Sequence, residues 1–221
     1  MKHLMVMVCV FALAPVHAWA GEYDERVAAS RATVKEFMQS LKGELQKGMQ
    51  EGGPVNAIGV CNRTARGIAN TYSARNGWSV GRTSLKVRSP DNAPDAWEEA
   101  VLQKFDQRRQ DGEDPAGIEH HEAVKHEGEK VFRYMKAIPT AELCVVCHGS
   151  DIDPLVDAQL QKLYPQDQAR GYKPGDIRGA FTIIQPLNGG QEYSAKATVS
   201  DYGLRPNPTY AQIQPAAFDE T

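Results

Sequence analysis

The residues best placed to do chemistry are two cysteines and a histidine in the run Cys144-Val145-Val146-Cys147-His148. C-x-x-C-H is the attachment pattern of a c-type haem, because its two thiols can reach both vinyl groups on one porphyrin edge. The histidine that follows can offer the iron a proximal ligand. A bare C-x-x-C could instead be a thioredoxin-like redox pair or half a zinc site. The first expects a βαβ setting and the second two further ligands, so the motif predicts one covalently bound haem c.

The N-terminus predicts export, which covalent haem attachment requires. A short positive segment precedes the apolar stretch 4–15, which is too short to span a bilayer. Ala18-Trp19-Ala20 then matches an A-x-A cleavage site. We therefore expect a signal peptide at 1–20, cleaved after Ala20, and a periplasmic location. The alternative is an uncleaved anchor, which would be the only contact with the membrane.

Composition limits the remaining functions. The chain has 221 residues and a formal net charge of −3, and no large basic patch is visible, so nucleic acid is not an expected partner. Residues 21–187 are expected to form one haem domain. From residue 188 the sequence becomes proline-containing and poor in aliphatic residues, which predicts an extended C-terminal tail at 188–221.

Cysteine counting singles out one more residue. The chain has four cysteines, of which Cys9 lies in the signal segment and two belong to the haem motif. Cys61 is left without a disulfide partner in an oxidising compartment. It is either a small buried core residue or the distal ligand at the sixth position of the iron.

Hydrophobic periodicity indicates which elements position these residues. It predicts helices at 23–50, 54–76, 95–110 and 154–163, and strands at 78–89, 129–138 and 177–187. Cys61 falls on the apolar stripe of the second helix, facing the core. Arg82 and Arg88 share the polar face of the first strand, where they could pair with haem propionates or simply be solvated. The first helix packs on its own domain or on a second copy, as in a homodimer.

Other side chains could compete for the distal position. His120, His121 and His126 lie in the strongly polar stretch 117–128, which favours a solvated loop over a metal site. Met135 lies on a predicted strand, where a methionine is typical of the core.

Four stretches, taken in order, resemble a known family. They are Val60-Cys61, residues 86–98, residues 144–149, and residues 164–172 followed by 175–180. Across roughly 24–187, the chain resembles the periplasmic c-type haem sensor domain with a PAS-like core, formerly a domain of unknown function, as a stand-alone member. The resemblance implies an α+β fold, with an antiparallel sheet flanked by helices. It also implies a single haem c with His148 as proximal and Cys61 as distal ligand.

This ligand set predicts what the protein does. A thiolate stabilises ferric iron and lowers the reduction potential relative to a His/Met site. We therefore expect a redox or diatomic-ligand sensor, without catalytic residues, that reports to a separate signalling or redox partner. The alternatives are a small electron-transfer cytochrome c of a respiratory chain and a haem peroxidase.

Overall fold

A computed structural model describes residues 17–187, with side chains from residue 21 onward. The predicted signal segment up to residue 16, including Cys9, and the predicted tail at 188–221 lie outside the described residues. In chain order the elements are α1 (His17–Asn76), β1 (Ser79–Thr83), α2 (Ala96–Gln110), β2 (Glu119–His126), β3 (Glu129–Pro139), α3 (Glu142–His148), α4 (Pro154–Leu163) and β4 (Ile177–Pro186). The predicted α+β class, with an antiparallel sheet and a long N-terminal helix, is confirmed.

The sheet has four antiparallel strands in the order β1-β4-β3-β2. The two long central strands pair Tyr134 with Ile183 and Met135 with Thr182. Because successive side chains point to opposite faces of a strand, the sheet can bury both of its faces.

Helix α1 covers one face of the sheet and α2 the other. The first face buries Phe37, Phe132 and Tyr134 together with β4, and the ring of Phe37 lies 5.4 Å from that of Phe181. The second face buries Met135 and helix α2 in a separate cluster. Each fully buried side chain of this size stabilises the fold by roughly 1.5–3 kcal/mol relative to an exposed one.

Helix α1 is divided into two arms by a break at Gly52–Gly53. Gly53 adopts φ 68° and ψ −165°, a conformation that is essentially restricted to glycine. Pro54 follows, in the first turn of the second arm, where its missing N–H has no helical partner to lose. The prediction of two helices separated here is confirmed. The first arm packs on the sheet. The second arm packs on the same cluster through Ile68, Ala69 and Tyr72, and it reaches α4 through Ile58.

Helix α2 begins where the sequence predicts. The Asp95 carboxylate accepts a hydrogen bond from the Glu98 N–H at 2.8 Å, and the Glu98 carboxylate accepts one from the Asp95 N–H at 3.1 Å. This reciprocal capping satisfies two of the backbone donors that a helix start leaves unpaired.

Two predictions about the strands were wrong. The first strand ends at Thr83, because the segment beyond it turns into a short 3-10 helix at Pro90–Asn92. The polar stretch expected to be a loop forms the edge strand β2, paired with β3 through a turn at Glu127 and Gly128, both with positive φ. An edge strand tolerates polar side chains because its backbone pairing does not depend on burial.

Among residues 17–187, no helix combines the length and apolar character needed to cross a bilayer.

Candidate cofactor site

Helix α3 presents the two motif cysteines one turn apart. Cys144 and Cys147 are half-buried free thiols, and residues at i and i+3 lie on the same side of a helix. The Cys144 Sγ accepts a hydrogen bond from the Ala141 N–H at 3.3 Å. Cys147 packs against the apolar cluster of Ile58, Val156 and Leu160, which joins the second arm of α1 to α4.

His148 ends α3 with its ring in a defined tautomer. Its Nδ1 lies 2.9 Å from the Ala169 carbonyl oxygen. A carbonyl can only accept, so Nδ1 carries the proton and Nε2 the lone pair. Arg178 Nε lies 3.2 Å from Nδ1 and 3.5 Å from Nε2, and only Nε2 can accept from it in this tautomer. This is the tautomer of a histidine that ligates a metal through Nε2.

The surroundings also keep His148 neutral. Burial, followed by the positive charges of Arg178 and Arg88, lowers the pKa of His148 to about 2. The imidazole is therefore neutral at physiological pH, with Nε2 unprotonated, which metal ligation requires.

Arg88 fixes the loop behind the histidine. Its guanidinium forms two hydrogen bonds with the Asp167 carboxylate, both 3.0 Å long. It also donates to the carbonyls of Cys147 and Ala169, at 2.5 and 3.2 Å. Burial alone would raise the pKa of Asp167, but Arg88 outweighs it and lowers that pKa. Arg88 thus ties the end of α3 to the loop that supplies the carbonyl partner of His148.

Two further arginines enter the site without a carboxylate partner among the described residues. Arg178 donates to the Ser84 hydroxyl at 2.8 Å and lies over the Tyr172 ring, 5.3 Å from its centre. Burial lowers the pKa of both Arg178 and Arg82. The site is therefore rich in desolvated positive charge, which favours an anionic group.

Cys61 belongs to the same site. It lies on the second arm of α1, half-buried, and interacts electrostatically with Arg82, Arg88 and Cys147. Burial raises the pKa of the Cys61 thiol, while the two arginines oppose that rise. The adjacent Asn62 side chain hydrogen-bonds Tyr164.

The competing ligands lie elsewhere. Met135 is fully buried beneath α2, in a different cluster from Cys147. The rings of His120 and His121 on the edge strand β2 contact Trp97 and Phe132, respectively. Within residues 17–187, no three histidine, cysteine or acidic side chains are grouped so as to hold a metal ion.

Sequence reasoning missed four contributors to the site. Asp167, Ala169 and Tyr172 come from the segment that leads into β4, and Arg178 is the second residue of β4. The ring of Tyr172 stands edge-on to His148 at 6.2 Å. The signal was available, because all four lie within the last of the four stretches that carry the family resemblance.

Fold and site together define an α+β protein in which a short C-x-x-C-H helix lies against a long, broken N-terminal helix. A family model described as Tll0287-like matches residues 20–186, and the chain belongs to this family. A solved structure, described as that of the cyanobacterial heme-protein Tll0287, matches with 23% identity and a TM-score of 0.57. The match covers 76% of this chain and 98% of that one, and supports the shared fold. No curated protein matches the sequence.

Proposed function

We propose that this chain is a periplasmic monohaem c protein with a PAS-like core, which senses redox state or a diatomic ligand. Cys144 and Cys147 would hold the haem covalently, with His148 and Cys61 as axial ligands. The observation that carries the proposal is the neutral His148, whose Nε2 lies 3.5 Å from Arg88, an arginine that also interacts electrostatically with Cys61. The family membership and the haem-protein name of the solved relative support it.

The residues present fit a haem. When bound, haem supplies a redox-active iron and two carboxylates. The half-buried thiols of α3 lie beside an apolar cluster that suits a porphyrin edge. Arg82 and Arg178 lack carboxylates of their own among residues 17–187, and two propionates would neutralise them. Arg88 already pairs with Asp167, so we move the proposed propionate contact from Arg88 to Arg178 and keep Arg82.

Cys61 is suited to be the ligand that leaves. Burial raises the pKa of its thiol, so the protein itself favours the protonated form, which is a weak ligand. The second arm of α1 carries Cys61 beyond the Gly52–Gly53 break. Release of the thiol would free this arm to shift, which converts a change at the cofactor into a change of shape that a partner can detect.

The first experiment tests covalent attachment and distal ligation. Full-length protein made in a host with cytochrome c maturation should contain one haem, which resists extraction by acidified organic solvent. Cys144→Ser combined with Cys147→Ser should abolish this attachment. The ferric wild-type protein should show a low-spin thiolate signature by electron paramagnetic resonance, and Cys61→Ser should lose it. Mass spectrometry of the same sample shows whether cleavage occurs after Ala20.

Met135→Leu is the matched control, since a volume-conserving core change costs less than about 1.5 kcal/mol. It should leave the thiolate spectrum unchanged. A Cys61→Ser spectrum identical to that of the wild type would refute the ligand assignment and bring Met135 or the β2 histidines forward.

The second experiment separates sensing from electron carriage. Reduced protein should take up carbon monoxide rapidly with loss of the Cys61 ligand. Absence of uptake together with fast, reversible electron exchange would contradict the sensor and support a small electron carrier. Turnover of peroxide would be needed for an enzyme.

A further inference from the structure

A cavity lies between α2, the segment after β1 and the start of β4, and it shares Ser84 and Tyr172 with the candidate cofactor site. Its volume is about 230 Å³, below the roughly 300–1,000 Å³ typical of sites for drug-sized ligands. The lining includes Lys86, Leu102, Asp106, Arg109, Tyr172 and Asp176. The size restricts an occupant to a small molecule, and the lining offers charges of both signs beside an apolar wall.

Two charged groups in this cavity have unused hydrogen-bonding capacity. The Arg109 guanidinium donates no hydrogen bond to the described residues, and its ion pair with Asp176 is 3.5 Å long. The half-buried Asp106 carboxylate has no hydrogen-bond donor within residues 17–187. The two residues lie three positions apart on α2, so both project from one side of the helix. Charged groups without hydrogen-bond partners keep part of their desolvation cost, which a ligand that carries both charges would offset.

The other charges of the cavity are already engaged. The Asp176 carboxylate accepts from the Lys173 N–H at 2.8 Å and lies 3.5 Å from Arg109 Nη1. The Lys86 ammonium donates to the Arg170 carbonyl at 3.0 Å. The unmet demand is therefore one acceptor for Arg109 and one donor for Asp106.

We propose that this cavity binds a small zwitterion, an α-amino acid with a short side chain. Its carboxylate would meet Arg109, its ammonium group Asp106, and its side chain the apolar wall formed by Leu102 and Ile177. A simple anion would place its charge beside Asp106, and a simple cation beside Arg109, so neither satisfies both groups. Burial raises the pKa of Asp106, and an ammonium group would relieve that unfavourable charge. The proposal does not depend on the haem.

Isothermal titration calorimetry of the purified full chain tests the proposal with four probes. L-Alanine and L-serine carry both charges, whereas propionate lacks the ammonium group of alanine and ethylamine lacks its carboxylate. We expect heat of binding from one or both amino acids, with propionate and ethylamine at least about ten-fold weaker. No binding of either amino acid into the millimolar range would overturn the proposal. Equal binding of propionate would also overturn it, because the site would then be a plain anion site.

Variants locate the binding. Arg109→Gln and Asp106→Asn should each weaken amino-acid affinity by about ten-fold or more, since each leaves a charged group unpaired. Arg75→Gln and Asp24→Asn are charge-matched controls at exposed positions on α1 and should bind like the wild type. Circular dichroism shows whether each variant is folded. If a variant is not folded, the comparison of the four probes on the wild-type protein still tests the proposal.

The same titration separates this proposal from the haem proposal. Cys144→Ser combined with Cys147→Ser removes the attachment thiols but leaves every group of the cavity in place. Equal amino-acid binding with and without covalent haem supports an independent site. Binding confined to the haem-free variant would assign the cavity to the cofactor and overturn the proposal.

Discussion

Arg133 and Arg178 are both largely buried, yet of the two only Arg133 forms ion pairs with carboxylates among the described residues. The Arg133 side chain is 2% exposed and meets Asp95 at 2.7 Å and Glu98 at 3.2 Å. The contact with Glu98 is an ion pair by distance, without the alignment of a hydrogen bond. The ring of Trp97 lies 4.2 Å from the Arg133 guanidinium. Arg178 has hydroxyl, imidazole and carbonyl neighbours instead.

The difference distinguishes a charge that is balanced within the fold from a charge that is available to bind an anionic ligand. A buried cation with its own carboxylates completes a balanced network that belongs to the fold. A buried cation without one keeps its desolvation cost, seen as the lowered pKa of Arg178, until an anion arrives. Such imbalance is typical of ligand sites. The proposed function would therefore depend on the charges around α3 and the start of β4.

The largest effect is expected from Arg133→Met. This substitution removes the guanidinium and leaves the carboxylates of Asp95 and Glu98 without their cation. The free energy of unfolding should therefore fall by about 3–5 kcal/mol. Urea denaturation measures this change. Arg75→Gln breaks the exposed pair with Glu36 and should cost less than about 1 kcal/mol. Equal losses for the two variants would contradict the structural role of Arg133.

A smaller effect is expected from Arg178→Gln in the haem-free Cys144→Ser/Cys147→Ser protein. The change loses the hydrogen bond to Ser84 but relieves a desolvated charge near two other arginines. The two contributions oppose each other, so the free energy of unfolding should stay within about 1 kcal/mol of the parent. A loss as large as that of Arg133→Met would make Arg178 structural and remove the contrast.

The smallest expected effect is a loss of stability at acidic pH, which depends on the ion pair between Arg133 and Asp95. Burial alone would raise the pKa of Asp95, but hydrogen bonds from the Glu98 N–H and from Arg133 outweigh it and lower that pKa. The stability that Asp95 contributes is thus present above its unfolded-state pKa of about 3.9 and is lost as pH falls through the lower folded value.

Urea titrations at several pH values test this dependence. Asp95→Asn should flatten the fall of stability below about pH 4, whereas Asp24→Asn, at an exposed position on α1, should not. A curve unchanged by Asp95→Asn would show that other carboxylates dominate the acid response.

The sequence was sufficient for elements with strong periodicity and clear ends. The Gly52–Gly53–Pro54 break, the Asp95 cap and the α4 span 154–163 all follow from local chemistry. The edge strand β2 could not be predicted in the same way. Its polar side chains carry no hydrophobic period, and its strand geometry comes from pairing with β3.

The candidate site was only partly predictable for a related reason. The motif on α3 is local, so Cys144, Cys147 and His148 were found directly, and counting isolated Cys61. Arg178 reaches His148 across 30 residues of chain, and no local pattern announces such a contact. The polar face of the predicted strand included Arg88, whose carboxylate partner Asp167 is 79 residues away.

The glycine break in α1 also sets the rotational phase of the second arm independently of the first. Each helical residue turns the chain by about 100°, so an unbroken helix would let the first arm fix the direction of every later side chain. With the break, the packing of the second arm itself, by Ile58 on α4 and by Tyr72 on the sheet cluster, decides where the Cys61 thiol points. A residue inserted at the break leaves that direction intact, whereas one inserted between Ile58 and Cys61 rotates the thiol away from the arginines. The chain thus tolerates a change of length at the two glycines, but it needs a fixed register from Ile58 to Cys61.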